Sequence, residues 1–122
     1  MARHGVGTLD DCALRIVATV VSRPTDDRAI LDAGSKTLSW DLMGFADYGH
    51  IIEYPQARIA KLSEEHGHVD LSRCSAKPAI GERVTIVPNH ACVVSNLFDA
   101  VAAVSNGHFE RILRVEARGL VR

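Results

Sequence analysis

Arg15-Ile16-Val17-Ala18-Thr19-Val20-Val21, then Pro24-Thr25-Asp26-Asp27, then Arg28-Ala29-Ile30-Leu31-Asp32 is the stretch that decides the fold class. Its first part is crowded with β-branched residues, which fit a pleated surface better than a helix, and it breaks at a proline. The polar cluster that follows reads as a tight turn and the last part as a second short strand, so the whole is a hairpin. The pattern returns further on. Ile51-Ile52-Glu53-Tyr54 stops at Pro55, and Ala57-Arg58-Ile59-Ala60-Lys61-Leu62 alternates polar and apolar as a half-buried strand should. Val69-Asp70-Leu71 is one more short strand. Arg83-Val84-Thr85-Ile86-Val87 is the clearest strand, set between the turn Ile80-Gly81-Glu82 and Pro88. Near the C-terminus Asn106-Gly107, a pair favoured where a turn needs positive φ, separates Ala100-Val101-Ala102-Ala103-Val104 from Arg111-Ile112-Leu113-Arg114-Val115-Glu116. Many short strands punctuated by Gly and Pro predict a mainly β chain: a small β-barrel or barrel-like sandwich.

The intervals are less regular. Residues 33–39 have no clean period and read as a shaped loop, as do residues 41–49 with Gly44 and Gly49. The segment from Val93 to Phe98 is the one short helix expected. With 122 residues the chain fits a single domain, 1–122, without disulfide staples. A net charge of −1 supplies no basic field for a nucleic-acid backbone. The longest apolar runs fall far short of the ~20 residues that span a bilayer. Met1 to Gly5 carries no apolar secretory core, so Cys12, Cys74 and Cys92 are expected to be reduced thiols in a cytoplasmic protein. Cys12 and Cys74 read as packed or inert. His4, His50 and His108 read as surface or turn residues, the glycines as backbone devices, and Trp40 and Phe45 as packing.

Three groups of residues can carry chemistry. The strongest is Val87-Pro88-Asn89-His90-Ala91-Cys92. In an extended backbone His90 and Cys92 point to the same side, and imidazole with thiolate suits a borderline-soft cation such as zinc. Two ligands leave positions open for water or substrate, which fits a catalytic metal better than a structural one. The plainer reading is a core cysteine beside a strand-end histidine. The second group is Leu62-Ser63-Glu64-Glu65-His66-Gly67-His68, where a carboxylate beside an imidazole can orient it, act as base or add a ligand; the alternative is a solvated loop with Ser63 capping a turn. The third, Asp32-Ala33-Gly34-Ser35-Lys36, can shape an anion or cofactor pocket or simply turn the chain, and it lacks the spacing of a P-loop.

Taken together, residues 28–39, 62–67 and 87–92, with Asn96-Leu97-Phe98-Asp99 and the ending Val115-Glu116-Ala117-Arg118-Gly119, resemble the C-terminal domain of the D-serine dehydratase-like and D-threonine aldolase-like family. The resemblance implies pyridoxal-phosphate enzymes of the alanine racemase fold type, in which an N-terminal α/β barrel carries the cofactor on a lysine and a C-terminal β domain closes the site. Dimers are usual, and an isolated β domain would present an open edge that invites pairing. A His and a Cys two residues apart bind zinc in dehydratase-like members and match His90 and Cys92. Ser35, Lys36, Glu65 and His66 become candidates for the rim of a site that takes a β-hydroxy D-amino acid. The family's barrel is absent here, and Lys36, Lys61 and Lys77 do not match its cofactor lysine. The resemblance therefore implies a lyase domain that needs the barrel, as partner or parent chain, and is inactive alone. The alternative is a non-enzymatic β-barrel oligomerisation module that binds zinc or no metal.

Overall fold

The β-branched stretch at the start of the pattern forms the longest strand, β1 (Ile16–Thr25), in a computed structural model that describes residues 5–120. Its faces alternate: Ala18 and Val20 are buried while Val17 and Val21 face water. It pairs antiparallel with β2 (Arg28–Leu31) on one side and with β6 (Arg83–Val87) on the other. The strand runs through Pro24 instead of stopping before it. Register shifts after Val20 and after Ser22 open the ladder there, so the missing proline N–H costs no hydrogen bond. The turn is reduced to Asp26 and Asp27.

Three further strands, β3 (His50–Ile51), β4 (Arg58–Leu62) and β5 (Gly67–Asp70), complete a six-stranded sheet in the order β3-β6-β1-β2-β5-β4. The Tyr48 N–H donates to the Ile59 carbonyl at 3.1 Å, tying the approach to β3 onto β4. The sheet is thereby nearly closed, and the barrel-like reading holds. The expected strand from Ile51 to Tyr54 is shorter, continued only by Ile52 N–H to Thr85 O. β5 starts two residues before its expected position, inside the 62–68 stretch whose alternative reading was a solvated loop. The core is the inner face of this sheet, with Val20, Leu31, Ile59, Val69, Val84 and Ile86 almost wholly removed from water.

Two short helices appear where one was expected. α2 (Ala91–Ser95) lies within reach of the predicted turn, but α1 (Ser35–Leu38) occupies the stretch that read as loop. A four-residue helix is barely longer than one turn, so no apolar period could announce it. It is closed by Leu38 N–H to Gly34 O and Ser39 N–H to Ser35 O. The chain ends in a separate hairpin, β7 (Ala100–Ser105) and β8 (His108–Arg114), turned by Asn106 at φ 50° and Gly107 at φ 78°. Both central residues of the turn therefore have the positive φ that the sequence pair predicts. Among the described residues no helix is long and apolar enough to cross a membrane.

Candidate metal site

Beyond β6 the chain passes through buried Pro88 and reaches the predicted ligand pair. The amide of Asn89 donates to the carbonyls of Leu42 at 3.3 Å and Asp47 at 2.5 Å, fastening the 41–49 loop to the end of the strand. His90 is extended (φ −130°, ψ 95°) and caps α2, but Cys92 already lies in that helix. The expectation that an extended backbone sets both side chains on one side is thus corrected: the chain turns helical at Ala91. His90 and Cys92 instead flank the start of a helix. Cys92 is an exposed free thiol.

His90 has a partner that no local spacing announced. Its Nδ1 lies 2.6 Å from Oδ2 of Asp41, with both side chains partly exposed. The bond to His90, followed by one from the Met43 backbone N–H, holds the Asp41 carboxyl below its ordinary range. An ionised carboxylate only accepts, so the imidazole is the donor at this contact, through Nδ1. Imidazole and exposed thiol are a donor set suited to zinc. Among the described residues, no group of three or more His, Cys, Asp or Glu side chains is gathered to hold a metal. By their chemistry alone His90 and Cys92 supply two of the donors such an ion takes.

The four predicted rim residues come together in one place. The backbone N–H groups of Ser35 and Lys36 donate to the carbonyls of Ser63 and Glu64 at 2.8 and 3.1 Å, and Lys36 forms an ion pair with Glu65. That pairing raises the Lys36 pKa. Gly34 makes the docking possible: a Cβ there would collide with the carbonyl oxygens of Ser63 and Glu64 and with the backbone nitrogen of His66. Its φ of −102° is ordinary, so the requirement is close approach, where the sequence suggested a backbone conformation. The Ser63 N–H closes the turn on His66 O at 2.8 Å, so the plain reading of a capped turn also holds locally. Along the chain, residues 39–41 connect α1 to the partner of His90.

Other predicted residues fall elsewhere. Trp40 is not packed over the core: it is 58% exposed and makes an edge contact with Tyr48 at 6.2 Å between ring centroids. Phe45 is half-buried beside a cavity of about 30 Å³ that Cys12, His50 and Asn89 also line. Cys74 packs against the core, and burial pushes its thiol pKa up. His50 opens β3, and His108 follows the last turn. His4 lies outside the described residues.

The family described as "Putative serine dehydratase domain" matches residues 13–104, and the chain belongs to it. An uncharacterized protein of Mycobacterium tuberculosis is 40% identical over 114 residues, which cover 89% of this chain and 86% of that one. D-threonine aldolase of Arthrobacter sp is 34% identical over 90% of this chain but only 28% of its own length. Among solved structures, D-threonine aldolase from Filomicrobium marinum matches with a TM-score of 0.77 and 33% identity over 88% of this chain and 29% of that one. D-threo-3-hydroxyaspartate dehydratase from Delftia sp. HT23 matches with a TM-score of 0.76 and 28% identity over 91% and 34%. Variants of D-threo-3-hydroxyaspartate dehydratase with a histidine or a cysteine replaced by alanine, two positions apart, match similarly, and the cysteine variant is described in a metal-free form. The chain thus spans about a third or less of the length of the named enzymes it matches.

Proposed function

We propose that this chain is the metal-bearing β domain of a pyridoxal-phosphate-dependent D-amino-acid lyase, the C-terminal part of the dehydratase or aldolase type. It works only with an α/β barrel supplied by a partner or a parent chain. The observation that carries the reading is the match to a dehydratase in which a histidine and a cysteine at the same spacing as His90 and Cys92 were targeted, one variant being metal-free. His90 through Nε2 and Cys92 through its thiolate hold a divalent ion, with zinc preferred for the sulfur ligand. Such an ion supplies a Lewis acid for the β-hydroxyl of a hydroxy amino acid, serving either hydroxide loss or retro-aldol cleavage. Ser35, Lys36, Glu65 and His66 line the rim. Carboxylates hold Lys36 and Lys77 protonated, the opposite of what an imine-forming lysine needs. The working enzyme is a cytoplasmic homodimer in this reading.

The Mycobacterium tuberculosis relative favours a second reading. A chain matched over 86% of its length has little left for an α/β barrel. A module of this size that oligomerises, with or without zinc, is therefore the alternative. Zinc titration of the purified chain, with Cys92→Ser beside it, tests the metal assignment: the variant should lose binding, and unchanged affinity refutes it. Added pyridoxal phosphate should produce no imine absorbance with this chain alone.

A further inference from the structure

We infer that Asp41 is the positioning residue for His90 and that the segment from Ser39 to Met43 is held in an unfavourable backbone conformation in order to present it. The inference rests on the metal-site reading above. Among the described residues only Ser39, Met43 and Asn106 combine a side chain with positive φ. Asn106 belongs to a hairpin turn that demands it. The other two stand two residues before and two residues after Asp41. Ser39, at φ 61° and ψ 170°, occupies a region that is almost the preserve of glycine.

Packing accounts for only part of this strain. Leu42 is half-buried, but Trp40 and Met43, on either side of Asp41, are exposed. The effect of the strain is to fix one carboxylate. Ser39 is buried, and its Oγ accepts the Asp41 N–H at 3.1 Å. The Met43 N–H then holds Oδ1 of Asp41 at 2.9 Å, leaving Oδ2 for His90 at 2.6 Å. From the other side Asn89, next to His90, grips the carbonyls of Leu42 and Asp47. Both ends of the carboxylate–imidazole bond are therefore clamped to the same loop. A histidine held this way through Nδ1 has a fixed ring orientation and tautomer, with Nε2 as the ligating atom, and such outer partners tune metal affinity strongly.

The first test needs no variant. Nitrogen-15 NMR of the metal-free full chain, at a pH where imidazole is neutral, should show the His90 ring in the Nδ1–H tautomer, its signal assigned by loss in His90→Ala. The Nε2–H tautomer, which prevails for imidazoles in water, would overturn the inference. In Asp41→Ala the signal should move toward that aqueous form, and zinc affinity should fall about tenfold to a hundredfold, read by competition with a chromophoric chelator. Asp41→Asn, which keeps the shape and an acceptor oxygen, should retain the tautomer with an intermediate affinity. Full-strength zinc binding by both variants would refute the role of Asp41 while leaving His90 and Cys92 as ligands. A wild-type chain that binds no zinc would mean that the ligands need donors from the barrel, and the tautomer would then decide whether Asp41 orients the ring.

Discussion

The six-stranded sheet and the β7–β8 hairpin are built from similar apolar, β-branched sequence, yet they meet water differently. In the sheet, Val20, Ile59 and Ile86 are completely buried. In the hairpin, Val104, Phe109 and Ile112 are each about 60% exposed. A bulge sets which of these residues share a face. The pairing of Ala102 with Ile112 and of Val104 with Phe109 skips one residue of β8, so Phe109 and Ile112 share a face that regular alternation would divide between two. A two-stranded hairpin is marginal in water on its own. The difference teaches that apolar patterning says which segments pair, and that cover is a separate matter decided by the rest of the fold.

Leu31→Ala should break the sheet side of this comparison most severely, costing about 2–5 kcal/mol in denaturant unfolding through the cavity it leaves. Gly34→Ala comes next. Its methyl has no room against the 63–66 turn, so a loss of about 1–3 kcal/mol is expected, with the Lys36–Glu65 pair disturbed. Ile112→Ala should change stability by no more than about 0.5 kcal/mol. A loss on the scale of Leu31→Ala would mean that the hairpin face is covered in solution and that the contrast fails.

The smallest expected effect concerns pH. The Tyr54 hydroxyl donates to Glu82 at 2.5 Å; this bond raises the Tyr54 pKa to about 12 and lowers that of Glu82. For Glu82 the contribution is present above the usual 4.5 and is lost as pH falls through the lowered value. For Tyr54 it is present below the usual 10.0 and is lost as pH rises toward about 12. Stability should therefore fall at both extremes, and Tyr54→Phe should weaken both dependences in melting curves taken across pH.

Much of the sheet was legible because local punctuation marks it. Gly81 and Pro88 bracket β6, whose five residues match their expected limits, and Asn106-Gly107 specifies its own turn. Pro24 misled because a bulge, a property of the paired strand, let the chain continue through it. The candidate site divides along the same line. The spacing of His90 and Cys92 is local and could be read, whereas Asp41 lies 49 residues from its partner and arrives there through a strained loop. Likewise the union of Ser35 and Lys36 with the 63–66 turn depends on a close approach at Gly34 that only the folded chain displays.

The most direct test of the central claim is metal content by elemental analysis of the purified, untagged chain beside His90→Ala and Cys92→Ser. The account predicts near-stoichiometric zinc in the wild type and its loss in both variants. Zinc retained equally by all three chains would contradict it, whereas its absence from all three would mean that the barrel is needed to assemble the site.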